Sequence, residues 1–286
     1  MSSSVVFMRK SELHPADLAA YRLLGAAILL SPLFFMARKR HTAEFRPSLL
    51  LCCIVPGIVL GLHFLIWVQG SRMTPATNAI LAVNTGPIIL PFLLFFLAGE
   101  KVNRREVFGT LIALAGLCVL AFTDFDADPG HFYGDMVCLA AMVMLALYMA
   151  LARRYSGRFA NNWLYAVPVY YIASASCVLV RLISGNVPEM PGGIEWLWVF
   201  CLVFFPTIFG HGLLLFALRH LRGQLVGVCS LCQFVSAGVF AYFAFGEIPS
   251  AGFMIAAAFV IAGAVVVITA KRDEEEVRDL EMDVSD

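Results

Sequence analysis

The chain of 286 residues is short of charge: only 14% of its residues are Asp, Glu, Lys or Arg, while 60% are hydrophobic. A soluble domain carries about a quarter charged residues, so an ordinary water-soluble fold is excluded. Strands of strictly alternating polarity are also lacking, which argues against a membrane β-barrel. No Gly-rich phosphate cradle occurs, so nothing points to an ATP-driven engine. Nothing resembles a hydrolase triad. The eight cysteines (Cys52, Cys53, Cys118, Cys138, Cys177, Cys201, Cys229 and Cys232) all fall in apolar runs and none in an external loop, so disulfides are not implied. Cys229 and Cys232 form a C-x-x-C, but no second pair or suitably spaced His completes a metal site. They read as small packing residues. No basic-then-apolar leader of signal-peptide length precedes the first run.

What the chain has in abundance is long apolar runs. Crossing about 30 Å of hydrocarbon takes roughly 20 apolar residues as helix. Nine runs qualify, at about 15–36, 49–70, 76–98, 106–122, 133–151, 162–184, 195–218, 224–245 and 251–270. In lipid every backbone polar group must be satisfied internally, so the spans are helices. The expected fold class is all-α membrane protein.

The formal net charge of zero hides an asymmetry. Residues 273–286 hold eight acids and one Arg, and this tail reads as solvated and disordered. Elsewhere basic residues collect in alternate loops: Arg38, Lys39, Arg40 and Arg46; Lys101, Arg104 and Arg105; Arg153, Arg154 and Arg158; Arg219 and Arg222; then Lys271, Arg272 and Arg278. The opposite loops hold only Arg9, Lys10 and Arg72, with Arg22 and Arg181 in or near spans. A split of 15 to 3 predicts a multi-pass protein of the cytoplasmic (inner) membrane with basic loops and C-terminus in the cytoplasm.

The chain also repeats. Stretches 76–116 and 223–263 align without a gap at an offset of 147, with Phe96/Phe243, Gly99/Gly246, Glu100/Glu247, Ala115/Ala262 and Gly116/Gly263 identical. Their order is shared: long apolar run, Gly-Glu, short turn, apolar run, Ala-Gly. The charge split sends run 76–98 and its mate 224–245 in opposite directions. The copies are therefore inverted, as expected for units of five spans each. Arg9-Lys10 and Arg153-Arg154 hold like places, so Met1–Met8 matches the end of a first helix whose mate is 133–151. The expected architecture is an inverted 5+5 repeat with nine full helices plus a stub of the first. Residues 1–122 form the first repeat, 123–272 the second and 273–286 the tail. About a dozen residues are expected to be missing from the first helix.

These features resemble the EamA family of the drug/metabolite transporter superfamily. The resemblance rests on PADLAAYRLLGAAILLSP (15–32, with Arg22), PATNAILAVNTGPIILPFLLFFLAGE (75–100), EVFGTLIALAGLCVLA (106–121) and the mates ending at Glu247 and Gly263. It implies ten helices in two inverted repeats, a cavity lined by the third, fourth, eighth and ninth spans, and export or exchange of small metabolites, often amino acids. By that resemblance the chain is an N-terminally truncated member.

Polar side chains at membrane depth are costly and face a cavity or a partner. Arg22, about 10 Å into its span, reads as a carboxylate anchor or gate, or as a snorkelling or helix-pairing cation. His63 and His211 are near-mates, offset by 148. Each reads as a proton-coupling or substrate-bonding imidazole, or as a packed histidine. Asn84 and Gln233 lie mid-depth on the fourth and ninth spans, facing substrate or gluing helices. Trp67 and Asn78 lie nearer the outer end, and Trp67 suits an interface anchor. Glu100 and Glu247 are expected to bond the start of the following helix. Pro56, Pro87, Pro91, Pro168 and Pro206 fall inside spans and are expected to kink them. The favoured function is a secondary transporter working by alternating access. The alternatives are an inactive or structural truncated membrane protein and, with too few polar groups, an intramembrane enzyme. The implied partners are a small-molecule substrate and the lipid bilayer, with no nucleic acid and no cofactor, and a homodimer is left open.

Overall fold

The computed structural model describes residues 4–124, 128–236 and 250–283. Gly246, Glu247 and Phe243, and with them the second Gly-Glu marker, lie outside the described residues. The described chain is helical, without strands. A short helix α1 (Ser4–Lys10) precedes α2 (Pro15–Arg40). A 3-10 stretch (Pro47–Cys53) leads into α3 (Ile54–Met73). The fourth span is broken into α4 (Ala76–Asn84) and α5 (Gly86–Leu93) and ends in a π-helical turn, Leu94–Ala98. Then come α6 (Arg104–Asp124), α7 (Phe132–Tyr155) and α8 (Asn162–Ile183). The eighth span is composite: α9 (Glu195–Leu202), a nine-residue π-helical segment (Val203–His211) and α10 (Gly212–His220). α11 (Gly223–Ser230) and α12 (Ala251–Asp283) close the described chain. Eight helical stretches among the described residues are long and apolar enough to cross a membrane, and a shorter apolar helix, Gly223–Ser236, opens the ninth run.

The prolines account for most of the irregularity. Proline lacks a donor and clashes with the preceding turn. Pro56 sits just past the 3-10 junction and Pro87 at the α4–α5 break. Pro206 lies inside the π-helical segment. Pro168, by contrast, is carried within an uninterrupted α8. The tail departs from expectation: α12 continues to Asp283 instead of ending at the membrane. Glu, Arg, Leu and Met are good helix formers, so a helix already propagating through 251–269 extends into 273–283.

Buried side chains fall into two groups. One joins α2, α3, α7, α8 and the eighth span around Leu23, Leu60, Phe64, Tyr148 and Tyr170. The other joins α4, α6, α11 and α12 around Ala113, Leu117, Val228, Phe234 and Val260. The grouping cuts across the order of the chain, because α6 packs on α12 and α3 packs on α7 and α8. The Ala-Gly marker of the repeat explains the first of these contacts. A Cβ on Gly263 would stand 2.4 Å from the Gly109 carbonyl oxygen, and one on Gly116 would stand 2.8 Å from that of Ala256. Helices in lipid associate through such close backbone approach. Gly116 and Gly263 thus let α6 and α12 touch.

Candidate functional site

Polar networks close both ends of the bundle. At the end holding the sparsely basic loops, Asp135 on α7 accepts hydrogen bonds from Thr74 and from Asn78 Nδ2 (3.2 Å). Arg72 donates to the carbonyls of Met8, Ser11 and Leu13, and Arg9 to those of Ser71 and Thr74. Buried Arg181 pairs with Asp17 and reaches Glu189 at 3.1 Å each. At the other end Glu100 accepts from Arg153 Nε at 2.9 Å and from the Gly223 amide at 2.8 Å. Arg222 pairs with Glu106 at 2.9 Å. Glu100 therefore bonds the start of α11 in the other half, not the start of the following helix. The start of α6 is bonded instead by Asn103 and Glu106, each accepting from the other's amide (2.7 and 2.9 Å). That is a capping box.

Between these ends lies a buried cationic and aromatic cluster. Arg22 is 1% exposed, His63 3% and His211 4%, so none snorkels to a surface. Arg22 Nε donates to Thr207 Oγ1 at 2.6 Å, and Thr207 in turn donates to the Leu202 carbonyl at 2.7 Å. The guanidinium carbon stands 4.1 Å over the Phe64 ring. His211 packs edge-on against Phe64 with ring centroids 4.8 Å apart, and the two imidazoles are 6.3 Å apart. His63 Nδ1 donates to the Ala141 carbonyl at 2.7 Å, which fixes its tautomer. Among the described residues, Arg22 Nη1, His211 Nδ1 and the buried Tyr170 hydroxyl have no hydrogen-bond partner. No described carboxylate pairs with Arg22. A cation desolvated in a membrane core without a counter-charge costs several kcal/mol.

Gln233 lies elsewhere. With Ser230 it forms the polar lining of a narrow cavity of ≈ 20 Å³ among Pro87, Leu90, Met142 and Met149, room for one water. Met142 follows Ala141, which His63 bonds, so cavity and cluster share a stretch of α7. Asn84 is buried but turned on its own helix: its Nδ2 donates to the Ile80 carbonyl at 2.7 Å. Asn78 belongs to the Asp135 network, and Trp67 is buried in the larger core at 7% exposure. Of the seven sequence candidates the structure brings Arg22, His63 and His211 together. Phe64, Thr207 and Tyr170 complete the cluster unforeseen, since a Phe, Thr or Tyr in an apolar run carries no distinctive signal. Among the described residues no three His, Cys, Asp or Glu side chains converge as metal ligands.

These features define a polytopic helical membrane protein with a buried cationic and aromatic cluster between two polar networks. The chain belongs to the EamA-like transporter family, whose model matches residues 1–122 and 132–269. It is 27% identical to the aromatic amino acid exporter YddG of Ancylobacter novellus, over 73% of this chain and 72% of that one. It is 21% identical to an S-adenosylmethionine uptake transporter of Rickettsia felis, over 92% and 85% of the two chains. A solved crystal structure superposes with a TM-score of 0.72 at 20% identity, covering 96% of each chain. The chain is thus a multi-pass membrane protein of a family of small-molecule transporters.

Proposed function

We propose that this protein is a secondary transporter of small carboxylate-bearing metabolites such as amino acids, working by alternating access between its two halves in the cytoplasmic membrane. The observation that carries the reading is Arg22, fully buried, with one guanidinium nitrogen unpaired and no described carboxylate beside it. A substrate carboxylate would supply the missing counter-charge and accept from that nitrogen. His63 and His211 stand in the same cluster and offer a hydrogen bond or a proton-coupled step. Phe64 and Tyr170 add apolar and aromatic surface. The exporter named above handles aromatic amino acids, which fits this lining.

In this reading the polar networks at the two ends act as gates. Parting the Glu100–Arg153 and Arg222–Glu106 contacts would open one side, and parting the Asp135 and Arg72 contacts the other. With the basic loops in the cytoplasm, the Glu100 network is the inner gate and the C-terminus is cytoplasmic. The test is uptake of labelled amino acids into proteoliposomes holding the purified chain, compared with their amides and with Arg22→Met protein. Saturable uptake of the acids, absent with the amides and with the variant, is expected. Equal uptake of acids and amides would remove the carboxylate reading.

A further inference from the structure

A second cavity, of ≈ 490 Å³, opens on the lipid-facing perimeter between the start of α8 and the second half of the eighth span. Its wall is one stripe along that span: Ile208, Phe209, Gly212, Leu213 and Phe216, ending at Arg219 and His220. Phe209, Leu213 and Phe216 are exposed. The apolar part of the stripe, Ile208 to Phe216, spans about 12 Å of helix, enough for the upper part of one acyl chain. At the polar end, Arg219 Nη2 donates to the Phe159 and Ala160 carbonyls (2.7 and 3.1 Å), while its Nη1 is buried with no partner among the described residues. No described carboxylate pairs with Arg219, and no acid lines the cavity. The ring of His220 lies against that of Phe216, with centroids 4.4 Å apart. Opposite stands the start of the 22-residue α8, capped by Asn161 and followed by Trp163. Asn162, 9% exposed and lining the cavity, has an unpartnered side-chain oxygen.

We propose that this groove seats an anionic glycerophospholipid from the leaflet on the basic-loop side. The phosphate meets Arg219 at the positive end of α8, whose Trp163 amide is held by the Asn161 cap. Trp163 stands at the headgroup level that tryptophan prefers. One acyl chain lies on the Ile208–Phe216 stripe. The floor is Gly212, where an added Cβ would meet nothing within 4 Å, so the groove is open where a chain would pass. The stripe begins inside the π-helical segment that also carries Thr207 and His211. A seated lipid would therefore brace the segment that builds the buried cluster.

The experiment is native mass spectrometry of the purified full chain offered equimolar phosphatidylglycerol and phosphatidylcholine. Wild type should retain phosphatidylglycerol about threefold or more over phosphatidylcholine, because both carry the phosphate but the choline cation of the latter is repelled by Arg219 at this part-exposed site. Arg219→Gln should abolish that preference. Gly212→Leu should block the groove for both lipids without disturbing Arg219. It also keeps the test open if Arg219→Gln fails to fold. Equal retention of the two lipids by wild type would overturn the proposal. So would displacement of phosphatidylglycerol by millimolar inorganic phosphate together with full retention by Gly212→Leu, which would mark a site for free anions.

Discussion

Replacing Arg22 with methionine separates the charge from the shape at the centre of the molecule. The side chain is 1% exposed, and its guanidinium has one hydrogen bond, to Thr207, and one ring beneath it, Phe64. Removing a lone charge from the membrane core relieves about 3 kcal/mol. The lost bond to Thr207 forfeits about 2 kcal/mol, and the lost cation–π contact about 1 kcal/mol. Thr207 is not orphaned, because its hydroxyl still donates to the Leu202 carbonyl. The terms cancel, so Arg22→Met should fold with stability within about 1 kcal/mol of wild type. Transport should behave very differently. A guanidinium–carboxylate hydrogen bond to substrate is worth about 2 kcal/mol, roughly thirtyfold in affinity. Arg22→Lys keeps the charge but not the planar fork, and should recover part of the loss. The assays are thermal unfolding in detergent and concentration-dependent uptake in proteoliposomes. An Arg22→Met protein that transports with wild-type affinity would refute the anchor role. One that is strongly destabilised would show that the guanidinium holds the fold.

Three further outcomes follow from the same geometry. Glu100 and Arg153 are 12% and 28% exposed, so a double-mutant cycle with Glu100→Gln and Arg153→Gln should show a coupling of about 1 kcal/mol in unfolding; none would mean the contact is incidental. Gly263→Ala forces a Cβ to 2.4 Å from the Gly109 carbonyl oxygen and should cost about 2 kcal/mol, whereas Gly157→Ala, into open space, should stay within about 0.5 kcal/mol; equal melting temperatures would break the close-approach argument. A phosphatase fused after Asp286 should be inactive and a fluorescent protein there bright, as for a cytoplasmic end; the reverse pattern would invert the assigned orientation.

Much of this was legible because burial in lipid is additive along a run. Spans could be read from composition, and Arg22, His63 and His211 stood out as polar groups in apolar surroundings. Asn84 stood out for the same reason but lies beside the Thr85–Pro87 break, where its amide serves its own backbone. A mid-span polar residue thus signals need without saying whether a cavity or a broken helix has that need. The capping pair Asn103 and Glu106 went unread beside the expectation placed on Glu100, whose reach to Gly223 crosses 123 positions and has no local trace. Nor did the chain announce that α6 would pair with α12 more intimately than with its own half. The Ala-Gly marker showed a repeat, but only the backbone approach shows why small residues stand there.

The π-helical segment of the eighth span answers a conflict written in the sequence. At about 100° per residue, Phe200, Phe204, Thr207 and His211 fall within roughly 60° of one another on a regular helix. One face would then have to serve both lipid and cluster. In the structure Phe200 and Phe204 are 55% and 37% exposed, while Thr207 and His211 are buried. The outward residues run Phe200, Phe204, Phe205, Phe209, Leu213 and Phe216, with two adjacent phenylalanines facing outward where the π-helical turns begin. The extra residue per turn rotates the lower half of the span against the upper half. Phe200 and Phe204 keep the lipid while Thr207 turns to Arg22 and His211 to Phe64. Pro206, which cannot donate to the preceding turn, sits inside the segment and weighs against the regular alternative. Wide turns are costly and cluster at functional sites. Here the cost is tied to a specific gain, because a regular helix could not bring Thr207 and His211 to the buried cation without burying the two phenylalanines as well.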